Sequence, residues 1–483
     1  MLFNSFGYLL FLPTVVLLYW ISPQRLRALL LLLASYVFYM TWKPVYGLLI
    51  FGLTLFNYLF GLAVNRSERY RKLWLAVAVA ANLLTLGVFK YAYFALDVAN
   101  QLLAPWSRSL PAIPLQIILP LGISFFVFEF IHYVADVYKG DKPVRSFVDF
   151  ALFASFFPTQ IAGPIKRYQL FIPQLAVAQK FSFKYLDEGV SLILFGLFKK
   201  VLFADNLAVV VQSAFQHPEL LSGLDLWLAV YAFAFQIYFD FSGYTDIARG
   251  SAHLLGYKVP PNFNLPYLAG SISDFWHRWH MSLSTWLRDY LFIPLGGSRF
   301  SRLLTYRNLF LTMLLGGLWH GAAMHFAIWG AYQGALLVLH KEFQRLTQSW
   351  QWLTQARNTR LFHCLSVALT FHAVCIGWVF FRAETAESAL EIIRKLLFLV
   401  PGPADLPAWS LSLPSTQDPV IFPLLPLVLL VLFSGQLVAE RLSRAGESIK
   451  FPPAFKAAYV AALISLLVLF APDTSPRFIY FQF

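Results

Sequence analysis

Long apolar runs recur from one end of the chain to the other, and they constrain the fold more than any other feature. Each run is roughly 17 to 25 residues long, which is enough for an α-helix to cross a hydrocarbon layer of about 30 Å. Composition agrees with membrane helices, because 59% of the 483 residues are hydrophobic and only 13% are charged. Soluble domains carry about twice that charged fraction. The sequence therefore predicts an all-α, polytopic membrane protein with about eleven or twelve helices and half-helices.

Basic residues in the connectors indicate how the chain crosses the membrane. They follow the first, third and fifth runs, at positions 25–27, 66–72 and 139–145, whereas the connectors between these are poorer in lysine and arginine. Because cytoplasmic connectors are enriched in both residues, the pattern predicts an N-terminus outside the membrane. It also explains the net charge of +13 without nucleic-acid binding, since no continuous basic face exists. The first run, residues 3–20, lacks the basic start and the cleavage site of a signal peptide, so we expect it to be retained.

The spacing of the apolar runs divides the chain into three segments. Residues 1–146 contain regular runs, which predict N-terminal transmembrane helices. Residues 147–330 interrupt the runs with proline, glycine and charged groups, which predicts a core of broken and re-entrant helices around a water-accessible site. Residues 331–483 are predicted to form C-terminal transmembrane helices that end in an aromatic tail.

Ionisable side chains are costly to bury in apolar runs, and this chain has two groups of them. Glu129, His132 and Asp136 are three and four positions apart, so they lie on one face of a predicted helix. They form either a structural polar network or part of a proton or substrate path. Asp240 and Asp246 are able to bind a cation, although packing or pairing with arginine explains them without a ligand.

The densest group of polar and aromatic side chains lies at residues 274–290. Histidines and arginines alternate there with tryptophans, which is typical of an interfacial or re-entrant segment. One interpretation is an aromatic belt at the membrane interface. The functional interpretation makes the segment, including Trp276, the wall of a donor-binding cavity. Arg278 and Arg288 are then available for phosphate or pantetheine-linked groups.

His320 lies in an apolar run between small residues, so neighbouring helices are able to pack closely and a ligand is able to reach the ring. A histidine in this setting is either a core residue or a catalytic group. Metal binding has little support, because His320 and His325, or His277 and His280, occur without an HExxH pattern or a set of cysteines. We therefore predict no metal site.

Other familiar catalytic patterns are absent from the sequence, which has no GxSxG elbow, no P-loop and no dinucleotide fingerprint. Soluble hydrolases and nucleotide-driven enzymes are thereby disfavoured. The two cysteines, Cys364 and Cys375, have no CxxC spacing and are predicted to be buried, unpaired thiols.

Six stretches, spread over most of the chain, carry a resemblance to a known family. They are PLGISF at residues 120–125, FPTQIAGP at 157–164, QIYFDFSGY at 236–244, the segment 275–297, GLWHG at 317–321 and GWVFFRA at 377–383. In this order and spacing they resemble the membrane-bound O-acyltransferase (MBOAT) superfamily, and within it the bacterial alginate O-acetyltransferase-like branch. The resemblance implies a ring of helices around a thin central core, with a tunnel from a cytoplasmic donor entrance to an extracytoplasmic funnel.

The resemblance also implies roles for individual residues. His320 matches the family's catalytic histidine, and His280 stands at the position of a second functional polar residue. Acyl transfer to a hydroxyl needs a base, and the unperturbed pKa of histidine, about 6.5, suits that task. His277 departs from the pattern, because this branch more often has arginine there, so the donor contacts of this segment are matched less closely.

The function implied by the resemblance is O-acyl transfer across a bacterial inner membrane, with acetyl-CoA as the acetyl donor and an extracytoplasmic polysaccharide as the acceptor. Related members acylate alginate, cellulose, peptidoglycan or other envelope polymers. A sister branch transfers D-alanine to teichoic acid, which leaves D-alanyl transfer as an alternative. A polysaccharide transporter is the rival class, since broken helices also suit transport. Besides membrane lipid, the implied partner is an SGNH-type acetyltransferase outside the membrane.

Tyr480 lies in the terminal sequence FIYFQF, which has four aromatic residues among its six. An aromatic belt at the interface is the simpler interpretation. The segment also resembles a terminal motif of envelope acylation systems, which implies that Tyr480 accepts the acyl group before an outer enzyme does. A phenol has a pKa of about 10, so it needs a base to become a nucleophile, and His320 is the implied base.

Overall fold

The chain folds into helices joined by turns, as the apolar runs predict. The computed structural model describes residues 1, 3–113, 117–402, 421–445, 453–469 and 478–479, and the regular structure of this part of the chain is helical. Within it, five helices are long and apolar enough to cross a membrane, namely Val45–Arg66, Arg71–Trp106, Gly223–Leu254, Arg360–Arg382 and Leu425–Leu442. Phe6–Ile21 is apolar but shorter. The predicted all-α membrane architecture is therefore confirmed, while the sidedness of the N-terminus stays a prediction.

The chain packs as two units, and the first comprises Met1–Gly196 and Tyr244–Pro261. Its helices are α1 (Phe6–Ile21), α2 (Gln24–Met40), α3 (Val45–Arg66), α4 (Arg71–Leu86), α5 (Ala92–Leu103), α6 (Ile123–Lys139), α7 (Phe147–Ser155), α8 (Tyr168–Ala176) and α9 (Phe183–Leu197). A π-helical turn, Gly87–Tyr91, joins α4 to α5. Within this unit α6 packs against α3 and α4, and α7 packs against α2. The three-segment division predicted from the sequence stays a prediction.

The segment between α7 and α8 is irregular, and its residues 156–166 are buried. The backbone N–H of Phe157 donates to Ser35 Oγ at 3.1 Å. Gly122, at a φ of +71°, allows the chain to approach this segment, because a Cβ there would lie 2.9 Å from the carbonyl oxygen of Gln160. Irregular backbone at membrane depth has to be enclosed by protein, and here it is. This part of the chain has the broken helices that the prolines and glycines predict.

The ionisable residues of α6 are buried within the first unit. Glu129 Oε1 lies 2.8 Å from Lys166 Nζ, and the amide of Gln169 donates to Asp136 Oδ2 at 2.7 Å. The His132 side chain is fully enclosed. Pairing of this kind offsets the cost of burying a carboxylate, so the contacts of Glu129 and Asp136 fit a structural polar network.

The second unit comprises Leu197–Gly243 and Asn262–Phe483. Its helices are α10 (Asp205–Gln216), α11 (Gly223–Leu254, which begins here), α12 (Ile272–Arg278), α13 (Met281–Leu287), α14 (Arg302–His320), α15 (Met324–Leu346), α16 (Gln351–Arg357), α17 (Arg360–Arg382), α18 (Ala386–Phe398), α19 (Ile421–Ala445) and α20 (Pro453–Leu469). Two π-helical turns, Phe198–Ala204 and Arg288–Phe292, precede α10 and follow α13. The short α12 and α13 fit the predicted broken helices, whereas α11 runs for 32 residues without a break.

Among the described helices, α14 and α15 share the most extensive contact. Ser301 begins α14, since its Oγ accepts a hydrogen bond from the backbone N–H of Leu304 at 3.3 Å. Gly317 permits the close approach of α15, because a Cβ there would lie 2.4 Å from the carbonyl oxygen of Phe326. This packing fixes the C-terminal end of α14, where His320 lies.

The two cysteines lie on α17 and are not bonded to each other. Cys375 is buried, as predicted, but Cys364 is exposed, so the prediction of a buried thiol is wrong at that position. Its neighbours Leu361 and Leu365 are exposed as well. On a membrane helix, an apolar face that protein does not cover is available to lipid. An apolar run is therefore not sufficient to predict that a residue is buried within the protein.

Candidate functional site

His320 ends α14 and lies in an aromatic pocket of the second unit. Its imidazole is T-shaped against Trp329, with ring centroids 5.1 Å apart, and against Phe381, with centroids 5.4 Å apart. These two rings come from α15 and α17, so three helices form the surroundings of this side chain. Only 6% of His320 is exposed. Rings packed in this way hold an imidazole in place and exclude bulk water from it.

His280 lies near His320 because both rings neighbour Trp319. The centroid of Trp319 is 6.4 Å from that of His280 and 5.0 Å from that of His320. His280 is fully buried, and its ring is T-shaped against Phe241 of α11 at 4.6 Å. The structure therefore brings together the two histidines predicted from the sequence, in one cluster of aromatic rings.

The backbone at His280 is left-handed, with a φ of +42° and a ψ of 54°. Residues other than glycine rarely adopt this conformation, because it strains the backbone. Residues with such strain are often found at functional sites. Asn262 holds the turn, because its carbonyl oxygen accepts from the Met281 N–H at 2.9 Å and its side chain accepts from the Ser282 N–H. The fixed turn directs the His280 ring into the cluster. Nothing in the sequence alone indicated this role of Asn262.

A cavity of about 380 Å³ opens beside these residues in the second unit. It is lined by Ser273, Trp276, His277, Met281, Ser284, Thr285, Leu287, Arg288, Phe292, Leu309, Thr312, Met313 and Leu337. His277 and Arg288 are exposed, whereas Trp276 and Leu287 are buried, so the cavity extends from the protein surface into the interior. Most of the lining is apolar, and Arg288 is its permanently charged member.

The cavity gathers two of the three residues predicted to contact a donor. Trp276 and Arg288 both line it, whereas Arg278 is absent from the lining and its Nε donates to Asp274 at 2.8 Å. Met313 of the lining precedes His320 on α14 by seven positions, which is two helical turns or about 10 Å. The cavity and the histidine cluster thus share α14.

Asp240, inside α11, contacts Lys200 and the backbone of Ile479. Its Oδ1 lies 2.7 Å from Lys200 Nζ, and its Oδ2 accepts from the backbone N–H of Ile479 at 2.7 Å. Asp240 was expected to be packed in the interior or paired with an arginine. It is buried, and its charged partner is a lysine. Asp246 does pair with arginine, since Arg249 lies 3.6 Å from it.

Tyr480 lies outside the described residues, so the structure does not describe the predicted acyl acceptor. The two residues before it are described, and both are buried, with Phe478 4% and Ile479 2% exposed. The rings of Phe478 and Phe241 are 5.9 Å apart. Since Phe241 also contacts His280, Phe478 packs against the same aromatic cluster as that histidine.

Within the described residues, no cluster of three or more histidine, cysteine, aspartate or glutamate side chains has the geometry of a metal site. His325, considered above as a partner of His320 at a metal, instead has its Nδ1 3.0 Å from the carbonyl oxygen of Phe380. A ring nitrogen facing a carbonyl oxygen is a donor, so this nitrogen is not available to a metal.

Comparison with known proteins identifies the family. The model of the membrane-bound O-acyltransferase family matches residues 31–376. The chain is 44% identical over 401 residues to a probable alginate O-acetylase from Pseudomonas aeruginosa, covering 82% of this chain and 75% of that protein. It is 37% identical to a peptidoglycan O-acetyltransferase from Helicobacter pylori, over 76% of this chain and 73% of the relative. A teichoic acid D-alanyltransferase from Bacillus subtilis is 32% identical over 56% of this chain and 70% of its own length.

The family model covers well over half of the chain, and its matched region contains both histidines and the whole cavity lining. The apolar helices agree with a protein that resides in a membrane. The chain therefore belongs to the membrane-bound O-acyltransferase family and is a multi-pass membrane O-acyltransferase of bacterial type.

Proposed function

We propose that this enzyme takes an acetyl group from acetyl-CoA at the cytoplasmic face of the inner membrane and passes it towards an extracytoplasmic polysaccharide. The observation that carries the proposal is the position of His320, which is buried among aromatic rings on the helix that also lines the cavity. The relatives named as O-acetylase and O-acetyltransferase support acetyl as the acyl group. The D-alanyl alternative rests on a relative of lower identity.

The cavity suits an acyl thioester with a charged end and an apolar arm. Arg288, exposed at the opening, is able to bind phosphate groups, since a guanidinium donates two parallel hydrogen bonds to oxyanions. The apolar lining around Trp276 then covers the pantetheine arm and guides the thioester inward. Each arginine donates from Nε to an aspartate at 2.8 Å, Arg278 to Asp274 and Arg288 to Asp289. Of the two, Arg288 lines the cavity, so we assign the main donor contact to its Nη groups.

His320 is the proposed general base. It removes the proton of an attacking hydroxyl while the hydroxyl oxygen forms a bond to the acyl carbon. The carbon–sulfur bond of the thioester breaks, and the thiolate leaves with the proton that His320 received. His280 is proposed to stabilise the oxyanion or to orient the acyl group, because it lies beside Trp319 in the same cluster.

Tyr480 is proposed to be the first acyl acceptor. Its phenol attacks the thioester with help from His320, and the resulting phenyl ester is a more reactive donor than an alkyl ester. A second acyl transfer then moves the acetyl group to the hydroxyl of an extracytoplasmic partner, proposed to be an SGNH-type acetyltransferase, and the phenol is regained. Phe478 and Ile479, the two residues before Tyr480, are buried, and Phe478 packs on Phe241, which supports a role for this tail in the relay.

The test uses inverted membrane vesicles that contain the enzyme, supplied with acetyl-CoA labelled in the acetyl group. We expect label on the protein before it appears on any polymer, and no label in vesicles of the opposite orientation. Label that reaches the polymer without passing through the protein would exclude the relay. Label acquired only in the opposite orientation would exclude a cytoplasmic donor.

A further inference from the structure

Three buried charges form a cluster in the second unit that the chemistry above does not use. Lys200 Nζ lies 2.7 Å from Asp205 Oδ1 and 2.7 Å from Asp240 Oδ1. The exposed fractions of these residues are 7%, 1% and 3%. Burying a charge is expensive unless it is paired, and two carboxylates share this one ammonium group. We call Lys200, Asp205 and Asp240 the charged triad.

The π-helical turn Phe198–Ala204 brings two members of the triad together. The backbone N–H of Asp205 bonds to the carbonyl oxygen of Lys200, which is the hydrogen bond of a π turn. Residues five positions apart point to different sides of an α-helix, but a π turn places them near one side. Lys200 and Asp205 therefore face the same direction, towards Asp240 of α11. π turns of this kind are frequent at functional sites.

The second oxygen of Asp240 holds the end of the chain. Oδ2 accepts from the backbone N–H of Ile479 at 2.7 Å, which is short for an N–H donor and typical of a charge-assisted bond. The side chain of Ile479 is buried, and Phe478 packs on Phe241, the residue that follows Asp240. One backbone hydrogen bond and two buried side chains thus fasten the residues that directly precede Tyr480.

We propose that Asp240, oriented by Lys200, is a positioning residue that docks the C-terminal tail and presents Tyr480 to the histidine cluster. The docking stands on the contacts of Asp240, Lys200 and Ile479 alone, and the presentation of Tyr480 rests on the proposed relay. Phe241 links the two parts, because its ring contacts both Phe478 and His280. A tail that is docked in this way delivers the acceptor residue to the same position in every cycle.

Asp240→Asn is the main test because it changes few atoms. Both neighbours of the carboxylate are donors, Lys200 Nζ on one oxygen and the Ile479 N–H on the other. An asparagine has a single side-chain oxygen, so one of the two contacts is lost and its NH₂ group faces a donor. Asp205→Asn is the matched control, since it loosens the same lysine but leaves the acceptor of Ile479 unchanged.

The measurement follows the reaction rate of a buried thiol. Ile479→Cys, in a chain with Cys364→Ser and Cys375→Ala, keeps the backbone N–H and reports whether the tail is docked. We expect slow labelling by a membrane-permeant maleimide. Asp240→Asn should raise the labelling rate between about tenfold and a hundredfold, the value of a hydrogen bond to a charged group. Asp205→Asn should raise it less. An unchanged rate in Asp240→Asn, or equal rates in both variants, would overturn the docking.

A second pair of variants leaves every buried charge in place and is used if Asp240→Asn does not fold. Ile479→Pro removes the N–H that Asp240 accepts and also fixes the φ angle of this residue, whereas Ile479→Val keeps the N–H. With Phe478→Cys as the reporter in both, the proline chain should be labelled at least about tenfold faster than the valine chain. Equal labelling would contradict the proposal.

Activity separates the docking from the relay. If docking presents Tyr480, Asp240→Asn should lower the kcat of polymer acetylation without changing the KM for the donor, because the triad does not line the cavity. Faster labelling of the thiol in Asp240→Asn, together with full polymer acetylation in Tyr480→Phe, would support the docking and exclude the relay. Unchanged labelling in Asp240→Asn, together with an inactive Tyr480→Phe, would exclude the docking and support the relay.

Discussion

The two histidines and the charged triad are both buried in the second unit, but they are buried in different surroundings. His280 and His320 are enclosed by rings of tryptophan and phenylalanine, whereas Lys200, Asp205 and Asp240 are enclosed as charges that pair with one another. Aromatic walls exclude water and leave an imidazole able to exchange a proton. Paired charges instead hold backbone in a fixed place, because leaving them unpaired is costly. In the proposed mechanism, acyl transfer therefore takes place in the aromatic neighbourhood, and docking of the tail depends on the charged one.

The largest effect is expected at the aromatic side of this comparison. His320→Ala should lower the rate of acyl transfer by about a hundredfold to ten-thousandfold, the usual contribution of a general base. Expression and membrane insertion should stay near normal, since the pocket is formed by residues of three helices. Initial rates with labelled acetyl-CoA give the measurement. A His320→Ala enzyme with near-normal rates would make the ring a packing residue.

A loss of stability is expected on the charged side. Lys200→Met leaves Asp205 and Asp240 buried without their shared cation, which should reduce the free energy of unfolding by about 3 to 5 kcal/mol. Thermal unfolding in detergent measures the change. The triple variant with Lys200→Met, Asp205→Asn and Asp240→Asn should regain much of that stability, because no uncompensated carboxylate remains. If Lys200→Met unfolds like the wild type, the triad does not stabilise the unit.

The second histidine should matter less than the first. His280→Ala is expected to slow acyl transfer by about tenfold to a hundredfold, because an oxyanion or orienting contact is lost while the base remains. The KM for the donor should change little, since His280 does not line the cavity. Steady-state kinetics of His280→Ala and His320→Ala, measured side by side, rank the two roles. A larger loss in His280→Ala would reverse the assignment of the base.

The smallest effect concerns the opening of the cavity. Arg288→Ala should raise the KM for acetyl-CoA by about tenfold with little change in kcat, because a phosphate contact made equally in the ground and transition states is removed. Arg278→Ala is the control, since this arginine is bonded to Asp274 and does not line the cavity. A KM that rises more in Arg278→Ala than in Arg288→Ala would move the donor contact to the former.

The sequence predicted the aromatic site better than the charged triad, and the reason is physical. The aromatic site shows two local patterns, a histidine between glycines in an apolar run and a Trp-rich segment before His280. Local patterns of this kind are visible in the sequence without knowledge of the fold. The triad depends on a π turn that aligns Lys200 with Asp205 and on a tail far along the chain. Neither follows from helical periodicity. Lysine inside an apolar run was nevertheless a usable signal, because such a charge needs a partner.

Two further features show where patterns on single helices fail. Arg278 and Arg288 were both predicted as donor contacts, and each pairs with an aspartate, but Arg288 lines the cavity and Arg278 does not. Cys364 was predicted to be buried because its run is apolar, but the structure leaves that face of α17 uncovered. In both cases the missing information was what surrounds the residue in the fold, which a sequence pattern does not contain.

The most direct test of the account is the mass of the enzyme after a single exposure to acetyl-CoA, with no acceptor polymer present. We expect one added acetyl group, located on Tyr480 by fragmentation, in the wild type. We expect none in Tyr480→Phe, which keeps the aromatic ring, and none in His320→Ala. An acetyl group on a different residue in the wild type, or an undiminished adduct in His320→Ala, would contradict transfer to the tail by this histidine.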